Sequence, residues 1–548
     1  MRLVTPAEMR LVERRAETDF GLSSILLMEN AGARAAEVAV RMRSGSAGRV
    51  VVVAGKGANG GDGFVLARHL AGRGETVDVF LLGRETELRG DALTNFLILK
   101  KMAENNAVTV RTVTDDSGLA MLERSLERAS LVVDALFGTG LRGSITGLPL
   151  GAITLINRAG RPVLSLDVPS GVDAGTGQLL AADTAAQVVH PGEAAAGAVR
   201  ATVTVTFGLP KLGLFLYPGA VFTGELRVVD IGLPPSLLAD PALKMHLITP
   251  DEVRAALPLR PVDAHKGSFG HALLVGGSPG LTGAVALAGE AALRMGAGKV
   301  TVAVPRSLNP ILEVKLTEVM SLPLAETEAQ TIEAGAAEPL LAWAGRCQAV
   351  GLGGGMGTDE GGGDFLRDFL AGLNLPVVLD ADALRLMAAR PELFREILAG
   401  RRQPAVLTPH PGEMAALMSL PVDAVERYRV DAAREVAQSW RSVLVLKGAH
   451  TVIATPDGEL FLNPTGNPGL ATGGTGDVLT GAITSLLAQG MTPVRAAVAG
   501  VYLHGLAGDL AAKERGPVGM AASDVVRQLP RAIQRVLSGE PAAGEQEE

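Results

Sequence analysis

Asn463-Pro-Thr-Gly-Asn-Pro-Gly-Leu-Ala-Thr-Gly-Gly-Thr-Gly-Asp-Val-Leu-Thr-Gly481 is the stretch on which the reading of this chain turns. Glycines at 466, 469, 473, 474 and 476 precede a single acid, Asp477, and the apolar segment Val478 to Leu487 follows at once as a predicted helix. A glycine-rich turn feeding a helix start leaves backbone N–H groups unpaired. With the positive end of the helix dipole they make an anion site. A carboxylate would repel a phosphate held there, so Asp477 makes better sense as a base facing a hydroxyl activated beside that phosphate. The plainer use of a Gly-Asp pair is a helix N-cap. Five glycines within eleven residues favour the site.

Upstream of that stretch, strands and loops alternate. His265-Lys-Gly-Ser-Phe-Gly-His271 leads into a strand at Ala272 to Val275, then Gly276-Gly-Ser-Pro-Gly-Leu-Thr-Gly283 and a small-residue helix, Ala284 to Met295. Further strands are predicted at Lys299 to Val304, Val350 to Leu352, Val377 to Leu379, Ala405 to Leu407 and Val443 to Leu446. Polar or glycine-rich loops follow the last four: Gly353-Gly-Gly-Met-Gly-Thr358, Asp380-Ala-Asp-Ala-Leu384, Thr408-Pro-His-Pro-Gly-Glu413 and Lys447-Gly-Ala-His-Thr451. Asp380 and Asp382 also suit a helix cap, and for Asp382 the cap is the stronger reading.

The first half repeats the pattern. Thr5-Pro6-Ala7-Glu8 has the threonine, proline and glutamate of a capped helix start, and a helix over Ser23 to Met42 follows. The strand Arg49 to Ala54 runs into Gly55-Lys-Gly-Ala-Asn-Gly-Gly-Asp-Gly63, then a helix over Phe64 to Ala71. Strands at Thr76 to Leu82, Ala107 to Val113, Leu131 to Leu136 and Pro162 to Leu166 predict a doubly wound, mostly parallel sheet. Asp134-Ala-Leu-Phe-Gly-Thr-Gly-Leu-Arg-Gly143 and Asp167-Val-Pro-Ser-Gly171 each follow a strand, at the edge where such sheets bind ligands. Gly55 to Gly60 fits G-x-G-x-x-G, but no acid closes the next strand where a dinucleotide fold places one, which argues against ordinary hydride transfer. Asp134 and Asp167 are also compatible with simple loop-capping roles. Lys56, His69 and His190 are assigned no function.

Length and composition set the bounds. A chain of 548 residues exceeds one ordinary core. Apolar residues at 47 %, charged at 20 %, aromatics at only 3 % and 68 glycines suit α/β layers, where small residues bring helices close to a sheet. A net charge of -8 provides no basic field for nucleic acid. One cysteine, Cys347, excludes an internal disulfide framework and a cysteine-based zinc site; it reads as a buried small apolar residue. Neither a signal peptide nor an apolar run of about 18 residues is visible, so no membrane span is expected and a cytoplasmic protein is; a homo-oligomer is also expected.

The three motifs of the first half, in this order, resemble the N-terminal epimerase domain of the NAD(P)H-hydrate repair family, over roughly residues 1–235. The resemblance implies a Rossmann-like domain in which Ala58, Asn59, Gly60, Gly61 and Asp62, with Gly138, Thr139, Gly140, Leu141, Arg142, Gly143 and Ser144, contact the hydrated nicotinamide cofactor. Asp167 lies against the reacting ring, and Asn59, Asp134 and Ser170 hold a potassium ion, whose hard charge suits such oxygens. Ala58 departs from the family, which usually has asparagine there.

The second half resembles the ribokinase-like fold, and more closely the dehydratase domain of the same system, over about 245–535. T-P-H-P-G-E, K-G-A-H-T and G-G-T-G-D in sequence carry the likeness. It implies a substrate that is the S epimer of NADHX or NADPHX, dehydrated at the expense of ADP, with AMP and phosphate as products and magnesium on the nucleotide. Lys447, Gly448, Ala449, His450 and Thr451, with Gly473, Gly474, Thr475 and Gly476, bind the nucleotide. Ala264, Gly357, His410 and Asp477 face the hydrate, and Asp477 accepts the hydroxyl proton. The expected organisation is an epimerase domain at 1–235, a linker at 236–248, a dehydratase domain at 249–535 and a disordered tail at 536–548. Two rivals stand beside this reading: a small-molecule kinase, which would leave a stable phosphorylated product, and a first half that only binds ligand.

Overall fold

The computed structural model describes residues 1–43, 48–104, 108–141, 143–180 and 197–539. The chain packs as two units, residues 2–244 and residues 245–548, the second also taking in Met1.

The first unit is built on strands β1 (Arg49–Ala54), β2 (Val77–Leu82), β3 (Val108–Val113), β4 (Ala129–Ala135), β5 (Val163–Leu166), β6 (Val203–Phe207) and β7 (Glu225–Val229). They lie in the order β3-β2-β1-β4-β5-β6-β7, every neighbouring pair parallel. β1 is buried from Val50 to Ala54, as expected of a sheet covered on both faces. The order reverses between β1 and β4, which opens a crevice beyond their carboxyl ends. The predicted capping box is present: Thr5 Oγ1 accepts from the Glu8 amide at 3.2 Å, and the Thr5 amide donates to Glu8 Oε2 at 2.7 Å.

One boundary moves. The helix expected from Phe64 begins at Ala58 and runs to Gly72, so most of the glycine-rich loop is its first two turns. The glycines are there for close packing: a Cβ on Gly60 would collide with the Gly55 carbonyl, and one on Gly63 would sit 2.6 Å from Ala135 Cβ.

The second unit continues with β8 (Met245–Leu247), β9 (His271–Val275), β10 (Lys299–Pro305), β11 (Met320–Leu324), β12 (Ala349–Leu352), β13 (Val377–Leu379), β14 (Val406–Leu407), β15 (Val443–Leu446), β16 (Val452–Ala454) and β17 (Leu460–Leu462). Their order is β8-β17-β16-β15-β14-β13-β12-β9-β10-β11. Pairing is parallel from β11 across to β15, then antiparallel through β16 and β17. The β16–β17 hairpin was not anticipated, although Thr455-Pro-Asp-Gly458 between two short apolar runs is a turn signal; the Gly458 amide closes it onto the Thr455 carbonyl at 3.0 Å. Thr282–Arg294, Thr475–Ala488, Pro493–Arg515 and Ala522–Ser538 pack over one face and share its largest core cluster.

Residues 236–248 are not an open tether. Leu237 and Leu243 are buried in the first unit, and β8 adds to the second sheet beside β17. At the other end the last helix runs on to Ser538 with Val536 buried, so the expected tail loses its first residues to that helix; 540–548 lie outside the described residues.

Candidate functional site

Two sites form, one at the switch point of each sheet. In the first unit a cavity of about 720 Å³ opens where β1 and β4 diverge. Ala58, Asn59 and Asp62 from the helix start line it, with Gly138 to Leu141 from the loop after β4 and Asp167 from the end of β5. Gly60 and Gly61 are buried behind this wall, Gly61 against Met28, while Gly143 and Ser144 are exposed outside it. Arg142 lies outside the described residues.

Asp167 sits at φ 64°, a left-handed conformation that non-glycine residues seldom adopt and that clusters at functional sites. Its Oδ1 is 2.6 Å from Lys211 Nζ, a lysine only 1 % exposed that also donates to the Phe207 carbonyl at 2.8 Å. Lys211 was not singled out from the sequence. A lysine amid Pro210, Leu212 and Leu214 gives no local sign of a buried charge; only the fold brings it to Asp167. Glu13, with Arg10 and Arg14, reaches the same cavity from the helix Pro6–Phe20. Burial, then the Asp167 charge, push the Glu13 carboxyl above its ordinary pKa against the pull of Lys211. Burial, then Asp167 and Glu13, raise Asp62 well above the usual carboxylate range.

Asp134 is buried at the end of β4 and fully engaged. Ser170 Oγ and the Leu136 amide donate to Oδ1 at 2.6 and 3.3 Å; the Ser170 amide and Ser165 Oγ donate to Oδ2 at 2.8 and 2.9 Å. Burial still leaves its pKa raised, the hydrogen bonds opposing. Asn59 is the reverse case: 7 % exposed, with neither amide atom bonded to any described group.

In the second unit the helix expected from Val478 begins at Thr475, so Asp477 lies in its first turn and is not a cap. The N-cap is Gly474 at φ 93°, a left-handed turn suited to glycine, and no side chain closes the helix start. The Thr475 amide reaches the Thr472 carbonyl at 3.4 Å, leaving the N–H groups of Gly476 and Asp477 for a ligand, and at Gly473 an added Cβ would meet open space. The His504 imidazole supports the turn from below, 2.9 Å from the Thr475 carbonyl; burial holds its pKa down at about 4, so it stays neutral.

Around the turn stands a charged cluster. Lys447 Nζ bonds Asp380 Oδ1 at 2.7 Å and lies 3.8 Å from Glu413 Oε2. Thr480 Oγ1 donates to Asp380 Oδ2 at 2.8 Å. Asp380 stands at a helix N-cap, yet its side chain makes no cap bond and serves this cluster. Asp382 is not the cap that its sequence position favoured: Oδ2 accepts from the Gly357 amide at 3.1 Å. Burial disfavours the Lys447 ammonium, but Asp380 and Glu413 outweigh it and hold its pKa above the ordinary lysine value. Burial, then the Asp380 carboxylate, raise Asp477 to about 6, Lys447 opposing. A carboxyl so poised can take a proton near neutral pH.

His410 caps the helix Pro411–Met418; its Nδ1 accepts the Gly412 amide at 3.0 Å, and Nε2 lies 3.2 Å from Glu413 Oε1. Gly448 is at φ 145° under the Arg429 guanidinium, which donates to the Leu446 and Lys447 carbonyls at 3.1 Å each. Arg429 was also missed from the sequence. Ala449 is exposed and His450 sits at φ 50°. Thr451 Oγ1 bonds the Gly448 carbonyl at 3.0 Å. Ala264 lies in the loop before β9, its amide on the Pro261 carbonyl at 3.1 Å.

Comparison with known proteins places both halves. Residues 24–213 match the family model described as YjeF-related protein N-terminus, and residues 272–531 the one described as NAD(P)H-hydrate dehydratase. Over 538 residues the chain is 44 % identical to the bifunctional NAD(P)H-hydrate repair enzyme Nnr of Moorella thermoacetica, covering 98 % of this chain and 97 % of that one. The protein of the same name from Thermofilum pendens is 40 % identical over 97 % of this chain and 96 % of its own. A crystal structure of the ADP/ATP-dependent NAD(P)H-hydrate dehydratase from Bacillus subtilis, with ATP/Mg2+, is 34 % identical over 53 % of this chain and 98 % of that one, with a TM-score of 0.46.

Proposed function

The chain belongs to the family of bifunctional NAD(P)H-hydrate repair enzymes, and from that premise we propose how its two sites divide the work. Its Rossmann-like half epimerises hydrated NAD(P)H, and its ribokinase-like half dehydrates it. The observation that carries this is the match of both halves to one family along nearly the whole chain.

We place epimerisation in the cavity at β1 and β4. The open helix start at Ala58 receives the cofactor's phosphates through its N–H groups. Asp167, whose Oδ1 lies 2.6 Å from Lys211 Nζ, serves as the base of epimerisation. A potassium ion, when bound, supplies a fixed positive charge near the ligand. The unmatched Asn59 amide oxygen fits such an ion; Ser170 Oγ, which accepts the Phe137 amide at 2.9 Å and donates to Asp134, is the second candidate ligand. Asp134, already holding four donors, serves as an outer support.

We place dehydration at Gly473–Asp477. Hydroxide is a poor leaving group, so the ring hydroxyl is first phosphorylated and then eliminated as phosphate. Asp477 takes the hydroxyl proton as oxygen attacks the nucleotide's terminal phosphoryl group. The turn's N–H groups hold that phosphoryl group, and the Lys447 ammonium, beside Gly476, offsets its charge. Magnesium, when present, neutralises the diphosphate. Among the described residues no cluster of three acids, histidines or cysteines offers an all-protein site, in keeping with an ion carried by the nucleotide. ADP as the donor rests on the family resemblance; a cytoplasmic location and a homo-oligomer belong to the same reading. Among the described residues no helix is long and apolar enough to cross a membrane.

The test is to give the full chain a mixture of NADHX epimers with ADP and magnesium and follow NADH absorbance. Complete conversion is expected. A stable phosphorylated product in place of NADH would favour the kinase reading.

A further inference from the structure

Asp62 is a group that the steps above leave without work. It is 9 % exposed, lines the cavity, and receives no hydrogen bond or ion pair from any described residue. An unpaired buried carboxyl is costly unless a ligand meets it or it stays neutral. Its neighbour one turn earlier, Asn59, is equally unpartnered. Asp167, on another wall, has the opposite environment, with Lys211 Nζ at 2.6 Å. Two carboxyls in one cavity, one unpaired and one ion-paired, fit an acid and a base.

We propose that Asp62 is the general acid of epimerisation, working opposite the Asp167 carboxylate. The inference rests on placing epimerisation in this cavity. Inverting the carbinol carbon means breaking its bond to oxygen and remaking it on the other face. Asp62 gives its proton to the ring hydroxyl, which leaves as water while the ring-nitrogen lone pair forms a C=N bond. Water then adds to the opposite face, the C=N pair returns to nitrogen, and the proton lost by that water passes to Asp167. No electrons are gained or lost. The two carboxyls have exchanged one proton, and the exchanged form is ready for the opposite epimer.

The charges facing Asp62 favour the neutral acid. Burial, then Asp167 and Glu13, raise its pKa, and Lys211 opposes them. Glu13 lies on the helix Pro6–Phe20, whose Arg10, Arg14 and Glu17 also border the cavity. Lys56 and Asp91 border it too, paired with Glu87 at 2.8 Å and Ser24 at 2.6 Å.

The experiment uses the full chain and the separated R epimer of NADHX without ADP, with the S form read by chromatography. Asp62→Asn should lower kcat at least ~100-fold, the low end of general acid catalysis, with KM little changed, and Asp62→Glu should recover part of the rate. In the unaltered protein kcat should fall at high pH as the acid ionises, and Glu13→Gln, by removing a negative neighbour, should move that fall to lower pH. Epimerisation in 18O-water should label the hydroxyl of the inverted product. An Asp62→Asn protein with kcat within about threefold of the parent, or an inverted product without label, overturns the proposal. If Asp167→Asn is also fully active, the placement of the site fails with it; if Asp167→Asn alone is inactive, only the acid assignment fails.

Discussion

Two carboxylates dominate at the scale of single residues, and each has a charged neighbour from a distant segment. Asp477 is held at about 6 by burial and by Asp380. As a base it must be ionised, so dehydration should rise with pH through about 6. Asp380→Asn removes the repelling charge and so lowers the Asp477 pKa; the rising limb should move to more acid pH even though the rate itself drops. A limb that stays in place would reject Asp380 as the tuning group. Asp167 is paired with the buried Lys211. Replacing that lysine by methionine keeps the bulk but strands a buried charge, which should cost about 3–5 kcal/mol in urea unfolding of the first unit. An unchanged midpoint would mean that the pair is energetically idle. Asp477 and Asp167 were legible as candidate site residues because each follows a glycine-rich or strand-end motif. Lys211 and Asp380 act through contacts 44 and 97 residues away in sequence, and no local pattern marks them.

Both helix starts were expected too late at the scale of elements, and for one reason. Glycine lowers intrinsic helix propensity, so Ala58–Gly63 and Thr475–Gly476 read as loop. In the fold Gly60 lets its helix approach the sheet, where a Cβ would collide with the Gly55 carbonyl, and further along the second helix Gly481 lets it approach its neighbour, where a Cβ would collide with the Ala288 carbonyl. Gly60→Ala should therefore push the helix start away from β1 and destabilise the first unit by about 1–3 kcal/mol, the usual cost of overpacking, with a matching loss of epimerisation. Thermal unfolding beside the epimer assay checks it; a tolerated alanine would show that the helix has room to shift. The Thr5 capping box, fully legible from four residues, sets a milder standard: Thr5→Ala should cost about 1 kcal/mol.

For the whole molecule the expectation is separability. Each unit has its own core and switch-point site. Asp167→Asn should stop enzymatic epimerisation while leaving dehydration of the S form at the parental rate. Asp477→Asn should do the reverse, equilibrating the epimers without making NADH. Following both epimers and NADH in one reaction distinguishes these outcomes, and loss of both activities from either substitution would contradict independent sites.

The sequence by itself determined the two α/β units, their strand-loop-helix rhythm and the motifs at the strand ends, because these depend on local periodicity and turn chemistry. It also carried the family resemblance that the comparison of whole chains bears out. Only the tertiary structure decided where the helices begin, that residues 236–248 pack instead of hanging free, and which partner tunes each acid. Those are matters of backbone approach and electrostatic contact between segments far apart in the chain. A carboxylate's proton affinity is set by the dielectric and charges around it, and these exist only once the chain has folded.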